Sequence, residues 1–395
     1  MSTQDPLQLT LEEAEWQNPD PRPTEVDVGS WPTCLSSPMA WTGQELRNPS
    51  AYTYYLSQND MLEIDNGLKH FQDLGIWGGE ITQQNFPLPT LSKKLAALSR
   101  EVHLGRGFVN IRGLEVDRYS TEDTSLVYIG ISKYIGTQVG KQDEGHALAH
   151  IRAVNQIDVV DDDLRPFRDS NQPLTYHTDG YCPIIGMQMR SKAAEGGEHL
   201  LASSWQVYNE LAATRPDIIR ILAAPNWHFD PRGMYTEPEP RALFFYEGES
   251  GPGAGDGKLI VNFVRYLLLG RPPGVPRLAS SPDCTPEQVE ALDAVEALAR
   301  KHGLALDLRP GDIAFVNNWS IMHSRTAFRD GADDRNHTRY WVRIWLRNES
   351  PAMEWPVPAP LRGGHDDIFD RDHILHWNVT PQPRLAFKIY QTLTP

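Results

Sequence analysis

Cysteine is scarce in this 395-residue chain: Cys34, Cys182 and Cys284 lie far apart, odd in number and without a C-x-x-C pair. Neither a disulfide framework nor a cysteine zinc site is indicated. Long hydrophobic runs are missing too. The longest apolar stretches, such as residues 243–246 and 267–269, fall far short of the ~18 residues of a membrane-spanning helix. Basic charge is the third shortage, with 37 Lys+Arg against 52 Asp+Glu and a net charge of −15. That balance argues against a broad nucleic-acid-binding surface. The opening MSTQDPLQLTLEEAEW has no Lys or Arg and no apolar segment, so it does not read as a secretory leader. The closing TLTP is no peroxisomal address. The expectation is a soluble, cytoplasmic protein with no membrane or nucleic-acid partner.

Turn residues and aromatic bulk are plentiful instead. Thirty-one Pro and thirty Gly predict many turns and few long helices, and eleven Trp within 40% hydrophobic content predict a packed core. Residues 1–50 show no sustained period; an irregular N-terminal arm packed on the core is expected over 1–90. The main domain is expected at 91–350 and a C-terminal extension of it at 351–395. Leu91, Leu95, Leu98 and Val102 predict a helix over 91–104, followed by a strand at 108–111 and a helix from Ser120 to about 136. Alternating and β-branched runs then predict strands at 151–154, 183–189, 200–204, 242–246, 259–263, 304–308, 313–317 and 339–346. Two helices interrupt them, one over 205–224 broken at Pro216, the other opened by Thr285, Pro286 and Gln288 and stopped at Gly303. The glycine-rich segment 248–257 is followed by KLIVNF, a strand pattern where a dinucleotide site needs a helix, so it reads as a loop tip. The fold class is α+β and mainly β, a double-stranded β-helix (jelly roll) core flanked by helices.

Residues i and i+2 of an extended segment point to one face, so an H-x-D dipeptide offers an imidazole and a carboxylate together. One distant histidine completes a facial triad that leaves three positions of an iron ion open. Three such dipeptides occur: His177/Asp179, His228/Asp230 and His365/Asp367. His365 lies in a tail with no later strand to complete a barrel, and His228 lies between two turns. His177 ends a short strand and precedes the buried-looking run after Pro183. His323, at the end of the strand in RPGDIAFVNNWSIMHS, is the candidate third ligand. Beyond it, alternation in RYWVRIWLR puts Arg339, Trp341, Arg343, Trp345 and Arg347 on one face and Tyr340, Val342, Ile344 and Leu346 on the other. Arginines facing a barrel interior need anions, because a buried unpaired guanidinium costs several kcal/mol or more. A solvated face with surface salt bridges is the alternative.

Taken in order, HTDG, EGGEHLLASSWQVY, RPGDIAFVNNWSIMHS and RYWVRIWLRN resemble the taurine catabolism dioxygenase (TauD/TfdA, clavaminate synthase-like) family over roughly residues 90–350. The resemblance implies an Fe(II)/2-oxoglutarate-dependent dioxygenase. It implies His177, Asp179 and His323 as iron ligands, and Arg339 and Arg343 as the pair that binds 2-oxoglutarate, the second of them also facing an acidic substrate. The link at residues 324–338 is longer than is usual in the family, which leaves the order of the two arginines open. His199 stands where many members carry a cosubstrate-binding Thr or Ser; either it or Ser203 is the implied replacement. Gln142 matches a segment near the substrate pocket, and Tyr181, Trp319 and Trp345 either line an aromatic pocket or simply pack. The implied reaction consumes O2 and 2-oxoglutarate, forms succinate and CO2, and hydroxylates an unactivated C–H bond of a small substrate, carboxylate-bearing or a secondary metabolite. Desaturation, epoxidation or cyclisation follow from the same chemistry, whereas retention of Asp179 argues against halogenation. A cupin-like zinc hydrolase and a noncatalytic jelly-roll binding protein are the readings from other classes. Oligomeric state is not legible.

Overall fold

The computed structural model describes residues 31–142, 145–153, 169–229, 240–248, 257–270, 281–331, 337–370, 372 and 375–380. The larger of two main sheets runs β1 (Thr53–Tyr55), β2 (Phe108–Arg112), β12 (Ile313–Asn317), β6 (Ile184–Ser191), β15 (Tyr340–Arg347) and β3 (Gln138–Gly140), with β4 (Leu148–Arg152) also paired to β15. The smaller runs β11 (Leu304–Ala305), β8 (His199–Ser203), β13 (Ile321–Arg325) and β5 (Leu174–His177). Two short pairs complete the strands: β9 (Phe244–Glu247) with β10 (Lys258–Val261), and β7 (Glu195–Gly196) with β14 (Phe328–Arg329). The jelly-roll core expected from the alternating runs is therefore present.

Helices cover both outer faces. On the large sheet, α1 (Gln58–Asp73), α2 (Leu91–Leu104) and α3 (Thr121–Ser132) bury Ile64, Leu95 and Val127 against Ile111, Phe315 and Ile344. Behind the small sheet, α4 (Ser204–Thr214), α5 (Pro216–Ala223) and α7 (Pro286–His302) bury Leu211, Ile219 and Val295. The helix break at Pro216 and the Thr285/Gln288 capping box fall where the sequence predicts them. Short α6 (Arg265–Leu269) follows the second hairpin strand, and α8 (Ala359–Ile368) lies beyond the last strand. No helix among the described residues is long and apolar enough to cross a membrane.

The arm expected to be irregular over 1–90 is regular in part. Ser57 and Asp60 form a capping box that starts the 16-residue α1, and β1 adds to the large sheet in parallel with β2. Only Ile64, Leu68 and Phe71 form the helix's buried apolar stripe, a pattern too narrow to stand out in a polar segment. Leu35, Met39 and Trp41 do pack into the main core. Residues 1–30, like most of the glycine-rich segment 248–257, lie outside the described residues; the strands flanking that segment form the β9–β10 hairpin.

Candidate active site

Antiparallel pairing places His323 of β13 directly opposite His177 of β5. Both rings therefore point to one face, with centroids 4.2 Å apart. Asp179 is brought back toward them by a strapped turn. Thr178 N–H donates to Phe263 O at 2.8 Å, and Phe263 N–H donates to Thr178 Oγ1 at 2.9 Å. Asn318 clamps the next residue: its Oδ1 accepts from Asp179 N–H at 2.7 Å and its Nδ2 donates to Asp179 O at 2.6 Å. As a result Asp179 Oδ1 lies 3.9 Å from His177 Nε2 and 3.7 Å from His323 Nε2.

The donor atoms are in the form a divalent cation needs. His177 Nδ1 must donate to Thr175 O, 2.8 Å away, which leaves Nε2 with a free lone pair. Burial pushes both imidazoles below their ordinary range, so they stand neutral. Burial opposes ionisation of Asp179, but Arg343 and the other groups around the carboxyl together outweigh it and hold the carboxyl well below the usual carboxylate range. Arg343 Nη1 and Trp345 Nε1 both donate to Asp179 Oδ2, at 2.7 and 3.2 Å, leaving Oδ1 facing the histidines. Gln142 completes this support by accepting from Arg343 Nε at 2.8 Å. Such contacts behind a ligand fix its orientation and tune its basicity. All three ligand atoms lie within 4.8 Å of one another, so the residues fit the implied iron.

Farther along the same interior, Arg339 is buried to 2% exposure. Its Nε donates to Gly197 O at 3.1 Å, Nη1 has no partner, and no carboxylate lies within ion-pair distance of it among the described residues. Burial, then the neighbouring Arg325, push it well below the ordinary arginine range. His199 is equally buried with Nε2 unpartnered, its ring 5.7 Å from that of His323. Burial holds it down at about 3, so it stands neutral.

Several of the expected site residues have protein partners in this geometry. Ser203 shares a face with His199, yet its hydroxyl donates to Met39 O and accepts from Gln206 N–H at 3.1 Å as the cap of α4. Gln142 accepts from Arg343, and Arg343 itself donates to Asp179. Trp319 lines a cavity that none of the three ligands lines. Tyr181 packs against Gly364 and lies 5.5 Å from the guanidinium carbon of Arg241. Trp345, which the sequence offers as cavity lining or packing, donates to Asp179. Asn318 was not singled out, because its side-chain clamp has no signature in the sequence.

Three converging donors suit a divalent cation, and a buried guanidinium without an acid suits a dicarboxylate. The class these define is the non-haem Fe(II)/2-oxoglutarate-dependent oxygenases, and the protein is an enzyme of that class. The family model of taurine catabolism dioxygenase TauD, TfdA family, matches residues 70–345. A taurine hydroxylase-like protein of Stachybotrys chartarum, SAT17, is 33% identical over 361 residues, covering 88% of this chain and 89% of its own. The chain belongs to the TauD/TfdA family. Among solved structures, an asparagine oxygenase in complex with Fe(II), hydroxyasparagine and succinate superimposes with a TM-score of 0.53 at 16% identity, covering 78% of this chain and 98% of its own. The oxygenase OrfP with iron and α-ketoglutaric acid gives 0.52 at 15% identity, covering 75% and 94%. Both share the fold.

Proposed function

We propose that the enzyme hydroxylates an unactivated C–H bond of a small organic anion, with His177, Asp179 and His323 holding iron and Arg339 taking the distal carboxylate of 2-oxoglutarate. Iron and cosubstrate, when bound, supply oxidation by O2 with release of succinate and CO2. The chain's own residues orient and exclude. Arg343 and Trp345 keep Asp179 Oδ2 occupied so that Oδ1 serves the metal, and His199 stands beside Arg339 as a neutral donor to the same cosubstrate. We place the enzyme in the cytoplasm, where the three cysteines, none of them in a disulfide, stay reduced.

The anionic substrate is supported by Arg241. This guanidinium is 3% exposed, lies 3.7 Å over the Phe229 ring, and has no carboxylate within ion-pair distance among the described residues. Its Nη2 donates to Asn262, whose Nδ2 donates to Gly180 O at 2.8 Å. It thus stands beside the turn that carries Asp179, unlike Arg343, whose charge is already used. The taurine hydroxylase-like relative bears the name of a sulfonate hydroxylase, in keeping with an anion.

A panel of small sulfonates, carboxylates and their neutral amides, assayed for substrate-stimulated succinate formation, tests the reading. Anions should stimulate and amides should not. In Arg241→Gln the KM of the best anion should rise about tenfold or more, while succinate formed without substrate stays unchanged. Equal stimulation by neutral compounds, or an unmoved KM, would contradict it.

A further inference from the structure

Gln142 is 1% exposed and lies two residues past β3, in the connection to β4. Its Nε2 donates to Ala147 O at 2.9 Å and to Arg343 O at 3.1 Å, and its Oε1 accepts from Arg343 Nε at 2.8 Å. A carbonyl only accepts and a guanidinium only donates, so these partners fix the direction of the amide. Gln142 therefore grips Arg343 at both ends, by its main-chain oxygen and by its side-chain nitrogen.

The connection is itself anchored, and by residues beyond the stretch that the family model matches, 70–345. Lys141 N–H donates to Ile368 O at 2.8 Å, and Lys141 Nζ to Asp367 Oδ1 at 2.8 Å. Ala147 N–H donates to His376 O at 2.9 Å, and His376 N–H returns a bond to Gly145 O at 2.8 Å. Within the connection, Gln142 N–H donates to His146 O at 2.8 Å. The amide is thus a fixed point on the frame of the protein.

From that point a chain of contacts leads to the metal ligand. Gln142 holds Arg343 Nε, and Arg343 Nη1 donates to Asp179 Oδ2 at 2.7 Å. A guanidinium is planar, so holding Nε fixes the direction in which Nη1 points. None of the Gln142 side-chain bonds among the described residues goes to His177, Asp179 or His323. Groups that act on a metal only through its ligands still move metal affinity, by about 10–100-fold when removed. We propose that Gln142 is a positioning residue of the metal site: it fixes Arg343 on Asp179 Oδ2, so that Oδ1 is the oxygen turned to the histidines. The proposal rests on the reading of His177, Asp179 and His323 as the iron ligands.

A double-mutant cycle read in metal affinity tests it. Fe(II) is titrated anaerobically, without cosubstrate, against a chromogenic chelator in the full-length wild type, Gln142→Met, Arg343→Lys and the double variant. Gln142→Met keeps the length of the side chain and removes the acceptor. Arg343→Lys keeps a positive charge for Asp179 and removes the Nε–H. Each single variant should raise the Fe(II) dissociation constant about tenfold or more. The double variant should lie within about threefold of the weaker single one, because the two residues act as one unit. A role confined to pinning the connection through Ala147 O would instead make the two losses multiply, and that result would overturn the proposal. So would an unchanged dissociation constant in Gln142→Met. Should Gln142→Met not fold, Arg343→Lys alone decides, and wild-type affinity there would overturn it. Failure of the wild type to bind Fe(II) is a different result, which would overturn the ligand reading and the proposal with it.

Discussion

Arg112, at the end of β2, and Arg339, at the start of β15, are both removed from solvent, at 7% and 2% exposure. At the edge of the large sheet the chain supplies Arg112 with acids of its own. Nη2 donates to Asp312 at 2.7 Å and Nη1 to Asp307 at 3.2 Å, and these pairs raise the guanidinium above even the ordinary arginine range. Between the two sheets the chain does the reverse. It gathers Arg339, Arg325 and His199 and, among the described residues, gives the Arg339 guanidinium one hydrogen-bond acceptor, the carbonyl of Gly197, and no carboxylate at ion-pair distance. Burial of an unpaired charge is costly, and a fold that tolerates it at one arginine while fully pairing another is shaped to receive an anion at the first. The same contrast separates the two carboxylates. Among the described residues the Asp312 carboxylate accepts from Asn110, Arg112 and the backbone at Arg309, whereas Asp179 keeps one oxygen toward two neutral imidazoles.

Substitutions can break this comparison. The largest effect is expected at Asp179: Asp179→Ala should lower Fe(II) retention and 2-oxoglutarate-dependent turnover by more than about 100-fold, beyond what loss of a supporting contact costs. Metal analysis after gel filtration and a succinate assay check it, and a metal-replete, active variant would contradict it. Arg339→Ala should raise the half-saturating 2-oxoglutarate concentration by about 30-fold or more, the loss expected for a partner of a buried charge, with no loss of unfolding free energy. Arg112→Ala should do the opposite. It should destabilise the fold by about 3–5 kcal/mol by stranding Asp312, read by urea denaturation, while the folded fraction keeps its cosubstrate requirement. The smallest effect belongs to α1. Ser57→Ala should cost about 1 kcal/mol and leave the site untouched. Burial opposes ionisation of Asp60, but Lys94 and the Ser57 cap outweigh it and hold its carboxyl down at about 2. Its contribution is therefore present above the unfolded value near 3.9 and is lost as pH falls toward 2. Asp60→Asn should flatten the melting temperature across that window.

The sequence made the metal ligands legible because their signal is local. An H-x-D dipeptide and a histidine at the end of a strand each declare themselves within a few residues, and antiparallel pairing then sets His177 opposite His323. Alternation likewise announced the face of β15 that carries Arg343 and Trp345. The contacts that were not legible are those whose partner is distant in the chain. Ser203 is a candidate cosubstrate ligand in the sequence, and its hydroxyl donates to Met39 O, 164 residues away. Gln142 and Arg343 meet across 201 residues, and Asn318 reaches Asp179 across 139. Helix α1 was missed for another reason: its capping box is plain, but three buried apolar residues in sixteen give a weak period.

The most direct test is anaerobic calorimetry of 2-oxoglutarate binding to the Fe(II)-loaded enzyme and to its Arg339→Ala and Arg112→Ala variants. Tight binding in the wild type and in Arg112→Ala, weakened about 30-fold or more in Arg339→Ala, is the predicted result. Equal affinity in all three would contradict the claim that the unpaired arginine is the cosubstrate's anchor.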